Sequence, residues 1–137
     1  MADRQPAFLY IEDHPASRMV MQLLLKELLG FEDLTLFEDS RDVVQRLEAS
    51  GKTFDVVFLD LHVDPLDGVA VLKLLRQHET FASLRVVALT AGMMLDELNT
   101  VREAGFDGLI SKPINLESFG EYVNQILAGE TVWETYD

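Results

Sequence analysis

The strongest constraint on the fold of this chain is an alternation, repeated five times, between short apolar runs and longer stretches with helical spacing. The runs are too short for helices, and they are rich in the β-branched and aromatic residues that favour strands. They lie at residues 8–11, 34–37, 54–59, 85–89 and 108–110. Buried strands that alternate with helices predict an α/β fold with a five-stranded parallel sheet and helices on both faces. Right-handed crossovers make a doubly wound arrangement the simplest topology.

The stretches between the apolar runs carry helix signals. Residues 19–29 have helical spacing and are followed by Gly30, a plausible C-terminal cap. Asp39 or Ser40 can cap the N-terminus of the next helix, which is expected to end near Gly51. The apolar faces of the three later helices are marked by Val71, Leu72, Leu75, Met94, Leu98, Val101, Phe119, Val123, Ile126 and Leu127.

Composition excludes several classes of protein. The 137 residues suit one domain, and the absence of cysteine excludes a disulfide scaffold, a thiol nucleophile and a zinc–thiolate site. There is no secretory signal and no apolar run long enough for a membrane span, so we expect a cytoplasmic protein. The net charge of −13 argues against direct binding to nucleic acid or to anionic membranes, although solubility is an equally good reason for the acidic surplus.

Polar residues follow four of the five predicted strands. Glu12 and Asp13 end the first strand, Asp60 ends the third, Thr90 ends the fourth, and Lys112 follows the fifth. The carboxyl ends of parallel strands share one edge of the sheet, and ligands bind there in open α/β folds. We therefore expect three carboxylates, a hydroxyl and an ammonium group at one site.

Three neighbouring carboxylates repel one another unless a cation lies between them. Oxygen ligands favour Mg²⁺ or Ca²⁺, and Mg²⁺ uses only one or two carboxylates, which leaves one free as a nucleophile. A hydroxyl and an ammonium group can hold phosphoryl oxygens. Taken singly, the acids could be helix caps or turn residues and the lysine a surface residue; their joint placement favours a phosphoryl-accepting site.

Four segments carry a resemblance to a known family: FLYIEDH, FDVVFLDLHVDPLDG, RVVALTAG and GFDGLISKPI. Across residues 7–128 the chain resembles the receiver domain of two-component response regulators, the CheY-like family. The resemblance implies the strand order 2-1-3-4-5. It also implies a receiver domain over residues 1–128 and a C-terminal tail over residues 129–137.

The resemblance assigns roles to the acidic residues. It implies that Asp60 is the phospho-acceptor and that the cofactor is Mg²⁺. Asp13 would bind the metal directly, Glu12 through water, and His62 through its backbone carbonyl, so that the imidazole of His62 need not be a ligand.

The remaining roles concern the phosphoryl group and the switch. Thr90 is implied as the switch hydroxyl and Lys112 as the partner of the phosphoryl group, with Pro113 after a cis peptide bond. Leu109 occupies the position of the aromatic residue that many receivers move on activation, so the usual coupled switch is in doubt. Pro65 comes one residue later than the family's proline. Ala91 and Gly92 leave little bulk over the site, which suggests a short-lived phosphorylated state.

The leading interpretation is a signalling module and not a metabolic enzyme. A sensor histidine kinase or a histidine phosphotransfer protein would donate the phosphoryl group, and the modified domain would bind a protein target that the sequence does not identify. The chain resembles a single-domain regulator, although a receiver excised from a larger protein is an alternative. A homodimer is possible.

Three alternatives stay open. A phosphatase or phosphotransferase of the haloacid dehalogenase type would usually carry an acid two residues after the nucleophile, where this chain has His62. A degenerate receiver would act only as a binding module. The tail could be frayed, or it could dock through Trp133 and Tyr136.

Overall fold

The computed structural model of the chain describes residues 5–91 and 95–134, without the side chains of residues 95 and 96. Gly92, Met94 and Tyr136 lie outside the described residues. The strands are β1 (Ala7–Ile11), β2 (Asp33–Phe37), β3 (Val56–Asp60), β4 (Arg85–Thr90), β5 (Gly108–Ser111) and β6 (Val132–Trp133). The helices are α1 (Pro15–Gln22), which continues as a π-helical segment (Leu23–Leu28), α2 (Val43–Ser50), α3 (Gly68–Gln77), α4 (Leu95–Ala104) and α5 (Leu116–Leu127).

The sheet has the order β2-β1-β3-β4-β5-β6, and every pairing is parallel. The predicted doubly wound fold and the order of the first five strands are therefore confirmed. The described residues contain six strands, not the expected five, because Val132–Trp133 pairs with β5. Two residues are too few to show an apolar period in the sequence, which explains why this strand was not expected.

Alternate residues of the central strands face opposite sides of the sheet, as strand geometry requires. Leu9, Val57 and Leu59 belong to the core that also contains the buried faces of α2, α3 and α4. Phe8 and Phe58 belong to a second core with residues from α1 and α5. Both faces of the sheet are thus covered, as the unbroken apolar runs predict. No helix in the described part of the chain is both long and apolar enough to cross a membrane.

The start of α2 differs from the expectation. The helix begins at Val43, after Asp42 in a left-handed conformation (φ 48°), and neither Asp39 nor Ser40 caps it. The Asp39 carboxylate instead accepts hydrogen bonds from the backbone N–H of Arg41 and from Arg46. The two glycines expected at helix ends, Gly30 and Gly51, have the positive φ typical of such positions.

Candidate functional site

The carboxyl ends of β1, β3, β4 and β5 meet at one edge of the sheet. Glu12 and Asp13 directly follow β1, and Asp60 is the last residue of the adjacent strand β3. Carboxylate oxygens of these three residues lie within 4.8 Å of one another. Lys112 approaches the cluster from the end of β5, with its ammonium nitrogen 3.7 Å from Asp60 Oδ1. The topology thus brings three acids and a cation from distant parts of the chain to one place.

Glu12 is fully buried and is the best-connected of the acids. Its Oε1 accepts hydrogen bonds from the hydroxyl of Tyr10 and from the ammonium group of Lys112, both at 2.7 Å. Its Oε2 accepts a longer hydrogen bond of 3.3 Å from the backbone N–H of His14. A buried carboxylate needs such partners, because removal from water without them is costly.

Asp60 is almost fully buried at the end of β3, and its Oδ1 accepts a hydrogen bond of 3.3 Å from the backbone N–H of His62. Gly68, the first residue of α3, packs directly against the chain around Asp60. A Cβ at this glycine would lie 2.9 Å from the Cα of Leu61 and 3.0 Å from the carbonyl oxygen of Asp60. Glycine therefore permits the close approach that places α3 beside the acidic site.

The pKa values of the two buried acids, Glu12 and Asp60, are shifted in opposite directions. Burial, together with the hydrogen bond and the charge of Glu12, raises the pKa of Asp60 from 3.8 to about 6. Burial alone would also raise the pKa of Glu12, but its hydrogen bonds with Asp60, Lys112 and Tyr10 lower that pKa to about 2. Burial and the neighbouring Glu12 raise the pKa of the Tyr10 phenol well above its ordinary value. Glu12 therefore stays ionised, whereas the surroundings of Asp60 disfavour its ionised form.

The donor set suits a hard divalent cation. Glu12, Asp13 and Asp60 offer only carboxylate oxygens, the ligands of Mg²⁺ and Ca²⁺, and Asp13 is exposed, so one side of the cluster is open to solvent. A cation between the carboxylates would also relieve the repulsion from Glu12, which adds to burial in raising the pKa of Asp60. The residues present therefore fit a metal ion at this position.

Replacing Asp13 with asparagine tests the fit. Because Asp13 contributes a charged oxygen to the cluster, Asp13→Asn should weaken Mg²⁺ binding by about tenfold or more. The affinity is measured by calorimetric titration and, independently, by the Mg²⁺-dependent rise in the free energy of unfolding. The matched control is Asp64→Asn, in the exposed part of the β3–α3 loop. Equal losses of affinity in both variants would contradict a site at Asp13.

The other predicted site residues lie at the rim or in the sheet. The ring of His62 is exposed and lies 3.7 Å from Glu97, and it is not part of the acidic cluster. Thr90 is buried at the end of β4, where its carbonyl oxygen accepts a hydrogen bond from the backbone N–H of Lys112. Leu109 is fully buried in β5. The peptide bond between Lys112 and Pro113 is cis, as expected.

The roles of two residues that organise the site, Tyr10 and Ser40, were not predicted from the sequence. Tyr10 reads as one more apolar residue of a buried strand, although a buried phenol usually has a hydrogen-bond partner, which could have drawn attention to it. Ser40 is fully buried and holds the loop after β3: its hydroxyl donates to the carbonyl oxygen of Leu66 at 2.6 Å and accepts from the Leu66 N–H at 2.8 Å. Its backbone N–H donates to the carbonyl of Asp64. This use of Ser40 explains why it does not cap α2.

Comparison with known proteins found one family model and several relatives that match most of the chain. A family model described as the response regulator receiver domain matches residues 8–124. The Stress response regulator protein 1 of Candida tropicalis is 27% identical over 122 residues, which cover 88% of this chain and 46% of that protein. The Sensor protein GacS of Pseudomonas syringae pv. syringae is 29% identical over 126 residues, which cover 90% of this chain and 14% of that protein. The chain thus spans less than half the length of these curated relatives.

Solved structures support the fold. The chemotaxis response regulator CheY4 of Vibrio cholerae superposes with a TM-score of 0.78 at 19% identity, covering 90% of this chain and 99% of that chain. The RcsB response regulator of Salmonella typhimurium superposes with a TM-score of 0.82 at 19% identity, covering 96% of this chain and 63% of that chain. At such low identities the similarity concerns the arrangement of the strands and helices.

Proposed function

Because the chain belongs to the response regulator receiver domain family, we propose that Asp60 is the residue that accepts the phosphoryl group in two-component signalling. The observation that carries the assignment is that the Asp60 carboxylate lies close both to the two acids that follow β1 and to the ammonium group of Lys112. Glu12 is already paired with Tyr10 and Lys112, and Asp13 is at the exposed rim, so Asp60 is the acid placed for attack.

The reaction requires an ionised carboxylate. With a pKa of about 6, Asp60 is ionised in most molecules at neutral pH. One of its oxygens attacks the phosphorus of the donor, the bond between phosphorus and the leaving atom breaks, and the leaving group takes the bonding electron pair. Mg²⁺, held by Asp13 and Asp60 with Glu12 acting through water, would supply charge neutralisation when bound.

Lys112 has a distinct role in this proposal. Its ammonium nitrogen is 2.7 Å from Glu12 Oε1 and 3.7 Å from Asp60 Oδ1, so a small movement carries it from one acid to the other. A phosphoryl group on Asp60 adds negative charge on that side and favours the movement. Tyr10 continues to donate to Glu12 after Lys112 has moved, so the buried carboxylate is not left without a partner.

The donor we propose is a sensor histidine kinase or a histidine phosphotransfer protein. The relatives include an osmosensing histidine protein kinase, SLN1 of Saccharomyces cerevisiae, which is 30% identical over 109 residues covering 9% of that protein. The product of such a transfer is a modified protein that binds a target, and not a released metabolite. We therefore place the chain among signalling proteins.

Incubation with acetyl phosphate and Mg²⁺ followed by intact-mass measurement tests the acceptor. We expect the wild-type protein to gain one phosphoryl group and Asp60→Asn to gain none, since an amide is not a nucleophile of this kind. Asp64→Asn, an exposed aspartate in the following loop, is the matched control and should be modified like the wild type. Modification of Asp60→Asn to the same extent would overturn the assignment. The decay of the modified species measures the short lifetime predicted from Ala91 and Gly92.

A further inference from the structure

The described part of the C-terminal segment, which ends at Glu134, is built into the sheet. Its strand β6 lies along the outer edge of β5, with the backbone N–H of Val132 donating to the carbonyl of Asp107 and that of Glu134 donating to the carbonyl of Leu109. These bonds satisfy backbone carbonyl groups of β5 and of the residue before it that would otherwise face solvent at the edge of the sheet. The side chain of Val132 is buried in the core beside α5.

Glu134 fixes the register of this strand. One of its carboxylate oxygens accepts hydrogen bonds from both the backbone N–H and the hydroxyl of Ser111, and the other accepts from the hydroxyl of Tyr122 at 2.8 Å. Three donors from β5 and α5 therefore converge on one carboxylate. Hydrogen bonds to a charged acceptor are stronger than those between neutral groups, so this position discriminates in favour of an acid.

Two further features suit the edge of β5 to an extended chain. Gly108 faces the carbonyl of Val132, and a Cβ at Gly108 would lie 2.5 Å from that oxygen. The three atoms that such a Cβ would meet first all belong to the backbone of Val132, so the missing side chain permits the close approach of the added strand. The guanidinium group of Arg102 on α4 lies 5.0 Å from the ring centre of Trp133, a distance at which a cation and an aromatic ring attract each other.

We propose that the outer edge of β5 is a strand-addition site, occupied by the chain's own tail and able to take a partner segment of the same chemistry. The partner is an extended peptide with a β-branched residue, an aromatic residue and an acid in succession, since these fill the positions of Val132, Trp133 and Glu134. The tail competes with the partner at a high effective concentration. A partner therefore binds only to the fraction of molecules in which the tail has left the edge of β5. Because the strand has only two residues and Trp133 is half-buried, release of the tail breaks only a small interface.

The test uses the full chain with its tail released. Val132→Asp places a charge in a buried position, and Glu134→Lys replaces the acid facing the Ser111 and Tyr122 donors; each should free the tail. Trp133 is the single tryptophan of the chain, so its emission should shift to longer wavelength and become more accessible to acrylamide. Thr131→Asp, at an exposed position, is the control that should leave the emission unchanged.

Binding is then measured with a fluorescein-labelled peptide of sequence GETVWETYD, residues 129–137, by fluorescence polarisation. We expect both released variants to bind it about tenfold or more tightly than the wild type does. Gly108→Ala should release the tail and also fail to bind the peptide, because the added Cβ obstructs any strand at this edge. Absence of binding to both released variants, equal binding to Gly108→Ala, or an unchanged Trp133 emission in every variant would each overturn the proposal.

Discussion

Replacing Lys112 with methionine is expected to lower the free energy of unfolding by about 3 kcal/mol at neutral pH without divalent cations, in the range for breaking a buried ion pair. Methionine keeps most of the aliphatic length of the lysine but removes the charge. Glu12, which is fully buried, then keeps the hydrogen bond from Tyr10 but loses the ammonium group that lies close to both Glu12 and Asp60. The measurement is urea-induced unfolding in the presence of a chelator.

The pH dependence of this loss of stability distinguishes an electrostatic cause from a loss of packing. Loss of the cation makes protonation of the two acids more favourable in the folded state, so the destabilisation should shrink as the pH falls and grow as it rises. A double variant with Asp60→Asn added should recover part of the loss, because one of the two repelling charges is gone. A loss that is constant with pH and is not relieved by Asp60→Asn would point to lost packing instead.

Asp60→Asn alone is expected to stabilise the metal-free protein by about 3 kcal/mol at pH 7.5, since the pKa is raised from 3.8 to about 6 and each pKa unit corresponds to about 1.4 kcal/mol. The pKa of Asp60 is raised to about 6 in the folded protein from its ordinary 3.8. A raised pKa means that the folded state holds the proton more tightly, so wild-type stability falls as the pH rises from about 4 through about 6. Asparagine removes this dependence and can still donate to Glu12.

Unfolding curves of both proteins between pH 4 and pH 7.5 measure this difference. The stability advantage of Asp60→Asn should be small at the acidic end and largest at the neutral end. Because the pKa of Glu12 is lowered to about 2, the stability that Glu12 contributes is present across nearly all of this window and is lost only as the pH falls further, from about 4 through about 2. Saturating Mg²⁺ should cancel the advantage or reverse it, because the wild type gains more from the cation. If the wild type is more stable than Asp60→Asn in the chelator at pH 7.5, the proposed destabilisation by the ionised Asp60 is wrong.

The surroundings of Leu109 change how the switch region is interpreted. The sequence places leucine where many receivers have an aromatic residue, and the side chain is fully buried in β5. In the sheet, however, Leu109 is paired with Trp133 of β6, which packs against the same core. An aromatic ring therefore lies beside this position, supplied by the tail. The Trp133 measurements proposed above would also report any movement here on phosphorylation.

The α/β fold and the main site residues could be predicted because their signals are local. A short apolar run identifies a buried strand, and parallel strands bring their carboxyl ends to one edge whatever the detailed packing. Glu12, Asp13, Asp60 and Lys112 lie together for this reason, although Lys112 and Glu12 are 100 residues apart in the chain.

Only the tertiary structure decided which partners the buried polar groups would have. The phenol of Tyr10 and the hydroxyl of Ser40 are ordinary in the sequence, and their importance comes from the distant groups they meet. The sixth strand is the clearest case. Two residues carry no periodicity, and their pairing depends on a missing side chain at Gly108 and on donors from β5 and α5 that converge on Glu134. By itself the sequence determined the layers of the fold and the chemistry of its carboxyl edge, because both follow from local pattern. The occupant of the β5 edge was decided by contacts between distant segments, which no local pattern encodes.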